Sequence, residues 1–161
     1  MQQNFYLKEI VKKVKSYNSQ SEDNSKRVLY VLEPIRQRWP GSSLPGEFQA
    51  LNFFIENATY LGLTTDSSIT LRPHPSDNVN KYNHWIKIQK YRNIKVDTSN
   101  SLENLIANSD LILGCETNAM VVGVACGKEA ISTLPPNAPR CRLPNKAINH
   151  LRDIVKNNTR N

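Results

Sequence analysis

RVLYVLE, at residues 27–33, is apolar in consecutive positions rather than in alternate ones. A strand with solvent on one side alternates, whereas a strand covered on both sides does not have to. Four more runs share this texture: SITLRP (68–73), IKVDT (94–98), DLILGCE (110–116) and EAISTL (129–134). The segments between them carry helical spacing. Residues 46–61 place Phe48, Leu51, Ile55 and Ala58 on one stripe before Gly62, and 79–91, 102–108 and 117–126 follow the same rule. A last helix is expected over 146–156, where Ile148, Leu151 and Val155 share a face. Alternation of strand and helix with connections of this length predicts right-handed crossovers and an α/β fold. The expected architecture is a single doubly wound parallel sheet of about five strands.

Upstream, Phe5, Leu7, Ile10, Val11 and Val14 suggest a one-sided helix over 5–17, and SYNSQSEDNS (16–25) reads as a loop. Residues 1–25 are therefore an N-terminal helix and linker, and 26–161 form the domain. A chain of 161 residues, 39% hydrophobic and 22% charged, suits one globular domain. It contains no run approaching the roughly 18–20 apolar residues of a membrane span, and its start lacks the core of a secretion signal. A cytoplasmic location and no transmembrane segment are the expectations.

Cys115, Cys126 and Cys141 form no CxxC pair and are odd in number, so they read as small apolar residues. His74, His84 and His150 are too scattered for a compact site, and no protein-held metal is expected. The net charge of +7 favours anionic partners without choosing among them. Lys8, Lys12, Lys13 and Lys15 belong to the solvated side of the first helix. Few aromatics and no nucleic-acid motif among the basic residues argue against nucleic acid as a partner.

In doubly wound sheets ligands gather beyond the carboxyl ends of the strands, so the residues after each run carry the information. After the first run, Arg36 and Arg38 could meet phosphate oxygens. After the second, RPHP stiffens an extended segment on which Arg72 and His74 are two apart and share a side. After the fourth, Glu116 could accept from ribose hydroxyls or a base, and Thr117 stands where a helix cap belongs. The amides of Thr117, Asn118 and Ala119 would then face an anion. After the fifth, Ser132 and Thr133 are weaker candidates. No GxGxxG, GxxxxGK[ST] or GxSxG occurs, which argues against dinucleotide binders, P-loop enzymes and serine hydrolases.

LRPHPSDNVNKY, IKVDTSNSLENLIANSDLILGCETNAM and GKEAISTLPP together resemble the C-terminal, donor-binding domain of GT-B fold glycosyltransferases, of the bacterial sialyltransferase-like or capsule type. The resemblance covers residues 26–155. It implies a Rossmann-like, nucleotide-sugar-binding domain in which His74 and Pro75 contact the donor phosphate. Thr117-Asn118 stands where the sialyltransferases carry two serines that hold that phosphate. It implies CMP-sialic acid or a related nucleotide sugar as substrate, with no separate cofactor. In such enzymes a second domain supplies acceptor site and base, so the acceptor-binding part would come from another domain or subunit, or from a homodimer. This chain alone is then expected to bind nucleotide without sugar transfer, because holding acceptor against donor accounts for up to roughly 7–11 kcal/mol of the barrier. Robust turnover by the purified chain, given a nucleotide sugar and a range of glycan acceptors, would contradict this. The alternative from another class is a non-catalytic Rossmann-like binding or scaffold protein.

Overall fold

The computed structural model describes residues 2–17 and 25–160, so most of the expected linker over 16–25 lies outside the described residues. The elements in chain order are α1 (Gln2–Ser16), β1 (Arg27–Val31), α2 (Gly46–Glu56), β2 (Ser68–Arg72), α3 (Lys81–Lys87) and β3 (Ile94–Val96). Then come α4 (Leu102–Ala107), β4 (Leu111–Gly114), α5 (Asn118–Ala125), β5 (Glu129–Ser132), β6 (Asn149–His150) and α6 (Leu151–Thr159). All strand pairings are parallel, and the six strands lie in the order β3-β2-β1-β4-β5-β6. This is the doubly wound, Rossmann-like arrangement, with its reversal of strand order between β1 and β4.

The continuous apolar runs are explained by the two layers of helices. Val28, Tyr30, Ile69, Leu71, Leu111, Leu113 and Ile131 point to one side, against Leu51 and Phe54 of α2, Tyr82 and Trp85 of α3, and Leu151 of α6. Leu29, Ile112 and Ala130 point to the other, against Val14 of α1, Leu105 and Ile106 of α4, and Met120 and Val122 of α5. Gly123 brings α5 close to β4, where a Cβ would stand 2.8 Å from Ile112 Cγ1. The sheet ends in short strands, with three residues in β3 at one border and two in β6 at the other.

Several details differ from the expectations, among them the helix over 79–91, which spans only Lys81–Lys87. The helix over 46–61 stops at Glu56 and continues as a 3₁₀ turn, Ala58–Leu61, closed by Gly62 at φ 76°. Ala58 and Leu61 are still buried, which is why the stripe seemed unbroken. The last helix begins at Leu151, because Asn149–His150 pair with β5 as a sixth strand. In α1, Phe5 is 68% exposed while Val14 is buried. Residues two apart on a helix lie about 200° around its axis, so Phe5 and Leu7 could not share one side.

Candidate functional site

The carboxyl ends of β1 and β4 lie at the strand-order reversal, and beyond them opens a cleft of about 390 Å³. Its lining runs from Glu33, Ile35, Gln37 and Trp39 after β1, through Cys115 and Glu116 after β4, to Leu134, Pro139 and Arg142 after β5. A wider depression of about 660 Å³ is lined by Tyr6, Glu9 and Lys13 of α1 and Glu103 of α4.

After β1 the chain turns at Pro34, where the Ile35 N–H donates to Glu33 O at 2.8 Å, and the odd-numbered residues from Glu33 to Trp39 line the cleft. Gly46, the first residue of α2, lets this segment pass close by. Its N–H donates to Gln37 O at 2.7 Å, and a Cβ there would meet Gln37 O at 2.9 Å and Ile35 Cγ2 at 2.7 Å. Trp39 is 5% exposed and packs with Ala50, Cys115, Leu134 and Ala138 as the floor of this region. Arg36 and Arg38 fall on the alternate positions, are exposed and do not line the cleft.

Sequence reasoning passed over Glu33. Its Oε1 accepts from the N–H of Cys115 (3.1 Å) and the N–H of Glu116 (2.8 Å), joining the end of β1 to the turn that opens α5. Burial pushes the Glu33 carboxyl up, as does the nearby charge of Glu116, while the two amides oppose the rise. The signal that could have found it is topological. A carboxylate just past the first strand of a doubly wound sheet stands beside the fourth strand's turn, however far apart the two are in sequence.

Glu116 is not a free carboxylate, since its Oε1 accepts from Arg142 Nε at 2.9 Å and from the Arg142 backbone N–H at 3.2 Å. Thr117 caps α5, its Oγ1 accepting from the Ala119 N–H at 3.2 Å, and Asn118 beside it is exposed. Gly114 is needed under that cap, because a Cβ would meet Thr117 Cγ2 at 2.5 Å. Ser132 and Thr133 serve the interior. Ser132 donates to Cys115 O at 2.6 Å, and Thr133 Oγ1 meets the Tyr30 hydroxyl at 2.7 Å. Both are buried and do not line the cleft. The Cys115 thiol is buried and pushed strongly upward by that burial, which makes it a poor nucleophile.

His74 follows β2, the neighbour of β1, and Leu32 N–H donating to Arg72 O at 2.9 Å prolongs that pairing to the base of its loop. Its ring is exposed and does not line the cleft. Nδ1 accepts from the Ser76 N–H at 3.2 Å and meets Ser76 Oγ at 2.7 Å. An amide can only donate, so these contacts assign the neutral ring's proton to Nε2, which is left to donate outward. Arg72 turns the other way, its guanidinium donating to Asn100 O in the loop after β3. Pro75 is exposed next to His74.

The His74 loop is anchored from beneath. Asp77 N–H donates to His74 O at 2.9 Å, and the Asp77 carboxylate accepts from Tyr82 Oη and Lys81 Nζ, each at 2.7 Å. Lys81 also reaches Glu47 Oε1 in the first turn of α2 at 2.7 Å. The Asp77 and Glu47 side chains are 3% and 4% exposed, and Glu47 Oε2 is buried with no hydrogen-bond partner. The sequence-derived candidates thus divide into His74 and Pro75 above β2, Glu116, Thr117 and Asn118 above β4, and Arg72 turned toward β3.

The chain matches no known family description and no curated protein. Among solved structures, it is similar to the beta Kdo 2,7 transferase KpsC of Thermosulfurimonas dismutans at 12% identity and a TM-score of 0.47, over 93% of this chain and 50% of that one. It is also similar to the wall teichoic acid polymerase TagF, in a structure soaked with CDPG, at 16% identity and a TM-score of 0.39, over 77% of this chain and 26% of that one. The chain therefore spans about half the length of the first and about a quarter of the second.

Proposed function

We propose that this domain binds the nucleotide-sugar donor of a glycosyltransferase, CMP-sialic acid or a related compound, across the carboxyl ends of β1, β2 and β4. The observation that carries the reading is the cleft at the strand-order reversal, with apolar walls and a few convergent polar groups. The sequence resemblance supplies the class of ligand. In this reading the donor phosphate lies between His74 Nε2 and the capped end of α5 at Thr117 and Asn118. β1 lies between β2 and β4, so two strand spacings, roughly 10 Å, separate the strand ends that carry these groups, a span within the reach of a nucleotide.

Charge builds on the leaving nucleotide as the glycosidic bond breaks, and pre-placed N–H donors would stabilise it there. The test is thermal stabilisation by CMP, CDP, UDP and GDP, where a ligand at 100 times its dissociation constant adds about 2.7 kcal/mol. No shift with any of the four would sink the reading. With the nucleotide that binds, His74→Ala is expected to cost about 1–3 kcal/mol of affinity, the range for a hydrogen bond to a charged group. Because the ring is exposed, the variant should unfold at nearly the wild-type temperature. Unchanged affinity by calorimetry would remove His74 from the site.

A further inference from the structure

The cleft at the strand-order reversal has an electrostatic character opposite to that of the whole chain. The chain carries +7, yet the charged side chains lining the cleft are Glu33, Glu116 and Arg142. Arg142 is bonded to Glu116, so no unpaired cation offsets Glu33 there. The Cys115 and Glu116 amides, which would otherwise favour an anion, are already satisfied by Glu33 Oε1. A phosphate group placed on them would face the uncompensated Glu33 carboxylate at close range.

The second oxygen, Glu33 Oε2, has no protein donor among the described residues and keeps its lone pairs to accept hydrogen bonds from a ligand. Around it Ile35, Trp39, Leu134 and Pro139 provide an apolar wall of the kind that covers the C–H face of a ring. A ligand part that suits both features is neutral, ring-shaped and rich in hydroxyl donors.

We infer that Glu33 is a hydroxyl-binding carboxylate, receiving on Oε2 the vicinal diol of a sugar ring lodged in this cleft while its Oε1 keeps anions off the Cys115 and Glu116 amides. This rests on the donor-binding reading and changes it in one respect, for the diol goes to Glu33 rather than to Glu116. The ring is either the ribose of the nucleotide or the sugar to be transferred.

The experiment follows the Cys115 and Glu116 amide resonances and the binding isotherms of the wild type, Glu33→Gln and Glu33→Ala. Inorganic phosphate is expected to leave both resonances unmoved in the wild type and to shift them saturably in Glu33→Ala. CMP, UMP and GMP are compared with their 2′,3′-dideoxy forms, and CMP-sialic acid and UDP-glucose with the bare nucleotides. A ribose diol gives a wild-type preference of about tenfold for the ribo form, and a diol on the transferred sugar gives a similar preference for the nucleotide sugar. Either preference should vanish in Glu33→Gln, which keeps the acceptor for the amides and so the local fold. Nucleotide binding without either preference, or with the preference retained in both variants, overturns the role of Glu33 and leaves the donor-binding reading standing. Phosphate shifting the wild-type amides as strongly as those of Glu33→Ala overturns the anion exclusion. No binding of any nucleotide or nucleotide sugar overturns the diol role together with the donor-binding reading.

Discussion

Replacing Lys81 with methionine is expected to destabilise the fold by about 3–5 kcal/mol, the range for removing one partner of a buried ion pair. Lys81 lies between the Glu47 and Asp77 carboxylates at 2.7 Å from each, and their side chains are only 4% and 3% exposed. Glu47 Oε2 is already without a donor, so the change leaves the Glu47 carboxylate with no hydrogen-bonding partner among the described residues. The pH dependence gives the loss a recognisable form. In the wild type, burial pushes Asp77 up, but the bonds from Lys81 and Tyr82 outweigh it and hold the carboxyl below its usual value. A carboxyl lowered in the folded state contributes stability that is present above its unfolded pKa, near 3.9, and is lost as pH falls through the folded value. Without Lys81 a principal opposing bond is gone and burial acts with less resistance. The variant's deficit should be greatest near pH 7 and narrow as the pH approaches about 4 and Asp77 takes up a proton. Urea titrations at the two pH values measure this, and Lys81→Met with Glu47→Gln should recover part of the loss at pH 7. An equal deficit at both pH values would show that packing of the lysine stem, not charge, is what matters. Because Asp77 holds the His74 loop by its N–H, the proposed donor binding should also weaken in the single variant.

Phe54→Ala carries an expected cost of similar size, about 3–5 kcal/mol, for truncating a large side chain in a packed interior. Phe54 is fully buried on α2, and its ring centroid lies 5.5 Å from that of Tyr30 on β1. The Tyr30 hydroxyl is fixed by Thr133 at 2.7 Å, so the tyrosine cannot tilt into the void without giving up that bond. A loss of this size is a large fraction of the 5–15 kcal/mol that holds an ordinary domain folded. The measurement is the urea midpoint at unchanged slope. A cost below about 1 kcal/mol would mean that α2 moves in to close the space.

What was legible in the sequence depended on how far apart the cooperating residues stand. Five strands were found where apolar runs were continuous, because burial on both sides leaves its mark within five or so consecutive residues. β6 was not, since a two-residue strand is defined by its partner, Ile131 and Ser132 of β5, rather than by its own pattern. The positions above the strand ends followed from topology, which placed His74 and Glu116 on the carboxyl edge. Their pairings did not: Glu116 binds Arg142 across 26 residues, and Glu33 binds the β4 turn across 82 and 83. Such bonds have no spacing to recognise. Thr117 shows the reverse case, as a cap two residues from the amide it serves is a local feature and was readable.

The borders of the sheet bear on how this domain can meet other chains. A long open border offers a row of unsatisfied backbone groups on which a foreign strand can assemble. Here β3 offers three residues, with Lys95 exposed at its centre, and β6 offers two. Neither is long enough to template a strand of ordinary length, and the lysine charge further discourages stacking. Growth by lateral sheet extension, the route to fibrils and to many domain swaps, is thereby blunted at both ends. A partner chain is left to approach over the loops at the strand ends or the outer sides of the helices, rather than along a border of the sheet.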